Sequence, residues 1–345
     1  CHDTVNFASG AGHRGVPQAN DNNCARCHVP QGDSEYDASV AGAHVPANFS
    51  STLEGVVMQV VGVDDGVAGK QPVVTFTVKN RAGEAIPLNQ MDRLTMYLTG
   101  PTSDFGANRS VDARSAAAVG DGTYRLTFPN AIPAEATGSY RISLAGRRRV
   151  QLMEGTEKQR QADDIGVNAQ LAFAVDGSLV KPRRQIVDTA KCNTCHVKLT
   201  FHGTQNTAEQ CAMCHNADLV DGTTKQSAQF TAMIHRIHRG SSLGVPYALR
   251  GTSWEKVTYP GVLSNCNGCH INNSQQLPLA EGLREVQEPA GPMTQRKAET
   301  NACTSCHAST AALAHAQVNT SALGESCAVC HGPGSEFSVD RVHAQ

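Results

Sequence analysis

The string Cys-x-x-Cys-His recurs six times along the 345 residues, at Cys24 to His28, Cys192 to His196, Cys211 to His215, Cys266 to His270, Cys303 to His307 and Cys327 to His331. Two closely spaced cysteines followed by an imidazole form the attachment signature of c-type haem, in which the thiols bond the porphyrin and the histidine reaches its iron. The chain also opens on Cys1-His2, the last two residues of such a string. A sequence this dense in attachment points cannot fold around an ordinary side-chain core throughout. Only one Trp, six Tyr and nine Phe are present, so macrocycles have to supply apolar bulk in the motif-rich stretches.

The pattern consumes the cysteines. Of thirteen, Cys24, Cys27, Cys192, Cys195, Cys211, Cys214, Cys266, Cys269, Cys303, Cys306, Cys327 and Cys330 lie in complete motifs and Cys1 stands alone, which leaves no pair for a disulfide. Zinc ribbons also use paired Cys-x-x-Cys units, but they have no reason to place His directly after each second cysteine.

The fourteen histidines divide evenly. His2, His28, His196, His215, His270, His307 and His331 follow a motif cysteine and supply the first axial ligands. Residues next to a motif histidine cannot cross to the opposite face of its macrocycle, so second ligands come from elsewhere. His13 and His44 are the candidates for the two N-terminal sites; His202, His235, His238, His315 and His343 are those for the five C-terminal ones. The expectation is seven haems c, the first with one attachment cysteine missing from this chain, and no histidine left for catalysis. Met233 and Met293 are the alternative ligands, and a thioether would raise the potential. His235 and His238, three apart on one helix face, are expected to serve different irons.

Three segments follow. Residues 1–48 form a two-haem segment in Gly-, Asn- and Asp-rich sequence. Residues 49–185 have a different texture, with neither Cys nor His from Thr52 to Val180. Period-two runs at Val74, Phe76, Val78, at Tyr124, Leu126, Phe128, at Tyr140, Ile142, Leu144 and at Leu171, Phe173, Val175 are set off by turn signals such as Asp121-Gly122 and Asp176-Gly177. They predict an antiparallel β-sandwich or barrel of about seven strands. Residues 186–345 carry five motifs, a density that predicts loops and single helical turns around haem, with one longer helix from Ser227 to Arg239. The fold class is thus multidomain: an all-β domain flanked by multihaem c-type domains with little regular secondary structure. The Arg147-Arg148-Arg149 run reads as a solvated strand end, with contact to propionates or an anionic partner as the alternative.

The formal charge of −2 omits the cofactors. Each haem with ionised propionates adds about −1 when ferric and about −2 when ferrous, so seven would make the particle strongly acidic and exclude nucleic acid as a partner. Covalent haem attachment takes place outside the cytoplasm, so the chain is expected to be exported. No signal peptide or apolar run of membrane-spanning length is visible, and the reading is of a mature or truncated product.

The order of two haem sites, β domain and five haem sites, together with the strings CHDTVNFASGAGHRG from Cys1, KCNTCHVKLTFHG from Lys191 and MIHRIHRG from Met233, resembles the outer-membrane MtrC/OmcA family of decahaem cytochromes. The resemblance implies a Greek-key or split-barrel β domain and a chain corresponding to the end of the first pentahaem domain, the second β domain and the whole second pentahaem domain. It implies extracellular electron transfer, with other multihaem cytochromes or a porin-cytochrome complex as donor. Acceptors would be iron(III) or manganese oxides, chelated iron, flavins or humics, and the location the outer-membrane cell surface or beyond. Two departures stand out: no cysteine is spare for the disulfide that family members often carry in a β domain, and the Ser/Thr-Pro-Ser/Thr string associated with mineral binding is absent. A subunit of an extracellular cytochrome filament and a multihaem reductase of a small molecule are the alternative functions, and a lipidated N-terminus is the alternative reading of Cys1.

Overall fold

A computed structural model describes residues 2–13 and 16–344; Cys1 lies outside the described residues. Two compact units emerge, one of residues up to Gly55 with Arg148–Ile165, the other of Val56–Arg147 with residues from Gly166 onward. The first opens with two single-turn helices, α1 (Cys24–Cys27) and α2 (Val40–Ala43). Nine strands of four residues or more are found among the described residues: β1 (Val57–Asp64), β2 (Val73–Lys79), β3 (Arg93–Thr99), β4 (Arg109–Asp112), β5 (Ala117–Gly120), β6 (Thr123–Thr127), β7 (Ser139–Leu152), β8 (Arg160–Ile165) and β9 (Ala169–Ala174). Strand β7 runs through both units.

In the first unit, Tyr36, Leu53, Leu152 and Ala162 form a small apolar core, with Val45, Ala47 and Val150 packed against it. The polar ties are dense. Glu35 accepts from Ser50 Oγ and from Ser51 N–H at 2.7 Å, and Asn48 Oδ1 accepts from the Asp163 N–H at 2.7 Å. Arg148 is not the solvated strand end that the triple-arginine run implies. Its side chain is 9% exposed and bridges Asp164 at 3.1 Å and Glu54 at 2.8 Å, while Asp164 also accepts from the Gly55 N–H at 3.0 Å.

The second unit holds two antiparallel sheets, β1-β2-β6-β5 and β4-β3-β7 with β9 also on β7. The period-two runs build the core between them. Val74, Phe76 and Val78 from β2, Leu94, Met96 and Leu98 from β3, Tyr124 and Leu126 from β6 and Ile142 and Leu144 from β7 belong to one buried cluster. Alternation breaks on β7, where the intervening Arg141, Ser143 and Ala145 are buried as well. The reason is a second layer. Ala145 packs with Tyr97, Phe105, Ala212 and Met213, and Ser143 Oγ donates to Gln210 Oε1. A strand covered on both faces loses its polar side, which is why sequence periodicity described only half of its environment.

Beyond β9 the unit is made of short helices: α3 (Thr189–His196), α4 (Ala208–Cys214), α5 (Phe230–Arg239), α6 (Ala298–Thr304), α7 (Thr310–Val318), α8 (Cys327–His331) and α9 (Val339–Val342). The helix expected from Ser227 starts three residues later, because Gln229 caps it by accepting the Ala232 N–H, while Ser227 is held as the acceptor of Tyr247 Oη at 2.8 Å. It stops at Gly240, whose φ of +42° and close approach to the Val257 carbonyl leave no room for a Cβ. Among the described residues no helix is long and apolar enough to cross a membrane.

Candidate haem-binding sites

Each motif folds as one turn of helix. The carbonyl of the first cysteine accepts the N–H of the histidine four residues on, at 2.9 Å for Cys24 and His28, Cys211 and His215, Cys266 and His270, and Cys303 and His307. One turn places residues three apart on the same face, which carries both thiols to one side with the imidazole next to them. Caps start two of these helices just upstream: the Asp188 side chain accepts from Ala190 N–H ahead of Cys192, and Thr207 accepts from Gln210 N–H ahead of Cys211.

The histidines come in seven facing pairs, and every pair joins one motif histidine to one from outside the motifs. In the first unit His2 faces His44 at 6.0 Å between ring centres and His13 faces His28 at 6.1 Å. In the second, the pairs are His196 with His238 at 6.0 Å, His202 with His215 at 6.3 Å, His235 with His270 at 6.2 Å, His307 with His343 at 6.0 Å and His315 with His331 at 6.1 Å. Rings attracted by mere stacking would not keep to so narrow a range. Two metal–imidazole bonds of about 2 Å each, plus the offset from each ligating nitrogen to its ring centre, come to roughly 6 Å. The donor set therefore fits an iron between each pair, with the two thiols of the motif beside it in the six complete motifs. Among the described residues no group of three or more His, Cys, Asp or Glu converges as a structural zinc cage does.

Second contacts fix which nitrogen faces the partner. Nδ1 lies within hydrogen-bond distance of a backbone carbonyl in His13 (Val16), His28 (Ala38), His44 (Val40), His215 (Ala228), His238 (Ile234), His331 (Phe337) and His343 (Val339), at 2.7 to 3.1 Å. A carbonyl can only accept, so Nδ1 carries the proton and Nε2 keeps its lone pair for a metal. His270 reaches the same state differently: Ser274 Oγ donates to the Ile186 carbonyl at 2.6 Å and so accepts from His270 Nδ1 at 3.0 Å.

Burial favours the neutral, ligating form. It lowers the His235 pKa to about 4, with His270 and His238 adding to the effect, and it lowers His215 against the opposing pull of the Ala228 carbonyl. Burial also pushes the Cys211 thiol up to about 12, with Cys214 contributing; such a group is a poor thiolate ligand at neutral pH.

The pairing was not legible as such, although one local signal was available. Ser39-Val40-Ala41-Gly42-Ala43-His44 and Ser338-Val339-Asp340-Arg341-Val342-His343 share the form Ser-Val-x-x-x-His. In both, Ser stands at the N-cap of a one-turn helix and His at its C-cap, bonded back to the Val carbonyl. Each lies in a nested arrangement, His2 with His44 enclosing His13 with His28, and His307 with His343 enclosing His315 with His331. The two ends of the chain thus repeat one two-site unit.

One-turn motif helices, facing imidazole pairs and a two-sheet β core define the class as multihaem c-type cytochrome. Residues 184–344 match the family described as "Outer membrane cytochrome MtrC/MtrF-like, domains II/IV". The fold of the chain is similar to that of MtrC from Shewanella baltica OS185, with a TM-score of 0.63 at 18% identity over 96% of this chain and 59% of that one. It is also similar to the outer membrane decaheme cytochrome OmcA, with a TM-score of 0.50 at 17% identity over 85% of this chain and 49% of that one. At such identity the likeness is one of fold, and the chain spans about half the length of these relatives. Among curated protein sequences there is no match.

Proposed function

We propose that the chain is an exported electron-transfer cytochrome at the outer-membrane surface, holding seven bis-histidine haems c and passing electrons to extracellular acceptors without a catalytic centre of its own. The observation that carries this reading is the pairing of all fourteen histidines, motif with non-motif, at one spacing. Haem c supplies a one-electron iron couple when bound, and the residues named would hold it: the motif cysteines by thioether, the paired histidines by Nε2. His235 and His238 sit one turn apart on α5 and face different partners, His270 and His196. A rigid helix thereby fixes the separation of two sites. The carbonyls behind Nδ1 orient the rings.

A reductase of small molecules needs an iron with an open position, and the pairing leaves no motif histidine without an opposite imidazole. Oxides, chelated iron, flavins or humics as acceptors, and a porin-cytochrome complex or another multihaem cytochrome as donor, are what the resemblance to the MtrC/OmcA family implies, and the match of residues 184–344 to an outer-membrane cytochrome model supports a location where they are within reach. Pyridine haemochrome analysis of the purified protein tests the reading, with magnetic circular dichroism alongside. Seven haems per chain, all low-spin, are expected; a count well below seven or a substantial high-spin fraction would overturn it.

A further inference from the structure

Within the second unit, a cavity of about 730 Å³ opens beside β7, bounded by Arg141, Asn168, Gln170, Arg183, Thr207 and Glu209 among others. Its charge does not balance locally. Arg141 is 6% exposed, its Nη1 has no hydrogen-bond partner, and its guanidinium lies over the Phe105 ring at 5.3 Å, the same ring that Arg183 approaches at 4.8 Å. Asp104 neutralises its own neighbours only: it bridges Arg183 at 3.0 Å and Arg184 at 3.6 Å and accepts the Arg284 N–H at 3.0 Å. Glu209 shares the cavity and attracts Arg141 at a distance, yet makes no ion pair with it. The polar amides are engaged elsewhere, Gln170 Nε2 with Thr207 Oγ1 at 3.2 Å and Asn168 Nδ2 with the Thr204 carbonyl at 2.8 Å.

A guanidinium stays charged even when buried, and a buried charge without a counter-charge is strongly unfavourable. What is missing is an acceptor with two oxygens set to match the fork of an arginine. We propose that this cavity is a carboxylate-binding site, with Arg141 as the anchoring group and Arg183 as the flanking cation. The carboxylate is either a propionate of a haem held by one of the neighbouring motifs, a source that rests on the functional reading above, or a small carboxylate taken from solution. Both make the same contact with Arg141.

Two measurements on the haem-loaded protein separate the sources. Calorimetric titration with succinate at constant ionic strength gives saturable heat only if the site is open to solution, and Arg141→Gln then weakens binding at least tenfold. If a propionate fills the cavity, succinate gives no heat, and Arg141→Gln instead lowers the midpoint of one haem in a spectroelectrochemical titration while the haem count is unchanged. Arg141→Lys, which keeps the charge but not the fork, falls between wild type and Arg141→Gln in either assay. Should Arg141→Gln lose haem or fail to fold, Arg183→Gln on the cavity wall is read in its place. No succinate heat together with superimposable redox titrations of wild type and variant overturns the proposal. A wild-type haem count far below seven would sink the functional reading separately and leave the succinate measurement standing.

Discussion

The rings of His202 and His215 lie nearly parallel, with planes 19° apart and centres 6.3 Å apart. His235 and His270 are close to this arrangement at 30°, whereas His2 with His44, His196 with His238 and His315 with His331 are crossed at 81 to 84°. The angle between axial imidazoles governs the splitting of the iron d orbitals, so the ferric protein is expected to show two classes of low-spin EPR signal, rhombic and highly anisotropic. His202→Ala should remove intensity from the rhombic class alone. Loss from the anisotropic class instead would contradict the pairing.

Among the described residues Ser274 is the acceptor for His270 Nδ1 and is itself fixed by the Ile186 carbonyl. Accepting that hydrogen bond makes the imidazole a stronger donor and favours ferric iron. Ser274→Ala should raise the midpoint of one haem by a few tens of mV, since a neutral hydrogen bond is worth about 1 kcal/mol and 59 mV corresponds to roughly 1.4 kcal/mol for one electron. Potentiometric titration with unchanged haem content checks it.

Arg148 and Asp164 are both buried and share a hydrogen-bonded ion pair. Asp164→Ala strands the arginine and should cost about 3–5 kcal/mol, read as a fall in the unfolding midpoint. Replacing the arginine too, as Arg148→Met with Asp164→Ala, should recover most of the loss. A single variant as stable as wild type would show that Glu54 alone suffices.

Phe76 is fully buried between the two sheets. Phe76→Ala should destabilise by about 3–5 kcal/mol with haem content and redox titration unaltered, because the β core contributes no ligand. Chemical denaturation followed by far-UV dichroism measures the first quantity and haemochrome analysis the second.

Asp221 ties a loop together by accepting N–H groups of Thr224, Arg250 and Thr223, and those bonds, Thr224 first, lower its pKa from 3.8 to about 2. A depressed carboxyl stabilises the fold above its unfolded pKa, and the contribution disappears as pH falls through the folded one. Wild type should therefore lose stability between pH 4 and pH 2. Asp221→Asn should show a shallower decline over the same interval in thermal melts. Parallel curves would count against this role.

The chemistry of this chain is written locally. Cys-x-x-Cys-His needs only one helical turn to bring two thiols and an imidazole together, so the candidate attachment cysteines and first ligands could be named by reading five residues at a time. Strand positions in the β domain were legible for the same reason wherever one face met a core and the other met water, as in β2. Longer-range facts were not. His44 as the opposite of His2, or His238 rather than His235 as that of His196, depends on chain segments tens of residues apart meeting in space, and no local pattern encodes which imidazole arrives. Burial of Arg148 followed from Asp164 and Glu54 arriving from separate segments, and burial of Ser143 from α4 covering the second face of β7. The sequence alone determined how many candidate ligands there are and of what kind; packing decided which of them face each other, because pairing across a gap of about 6 Å is a property of tertiary contacts.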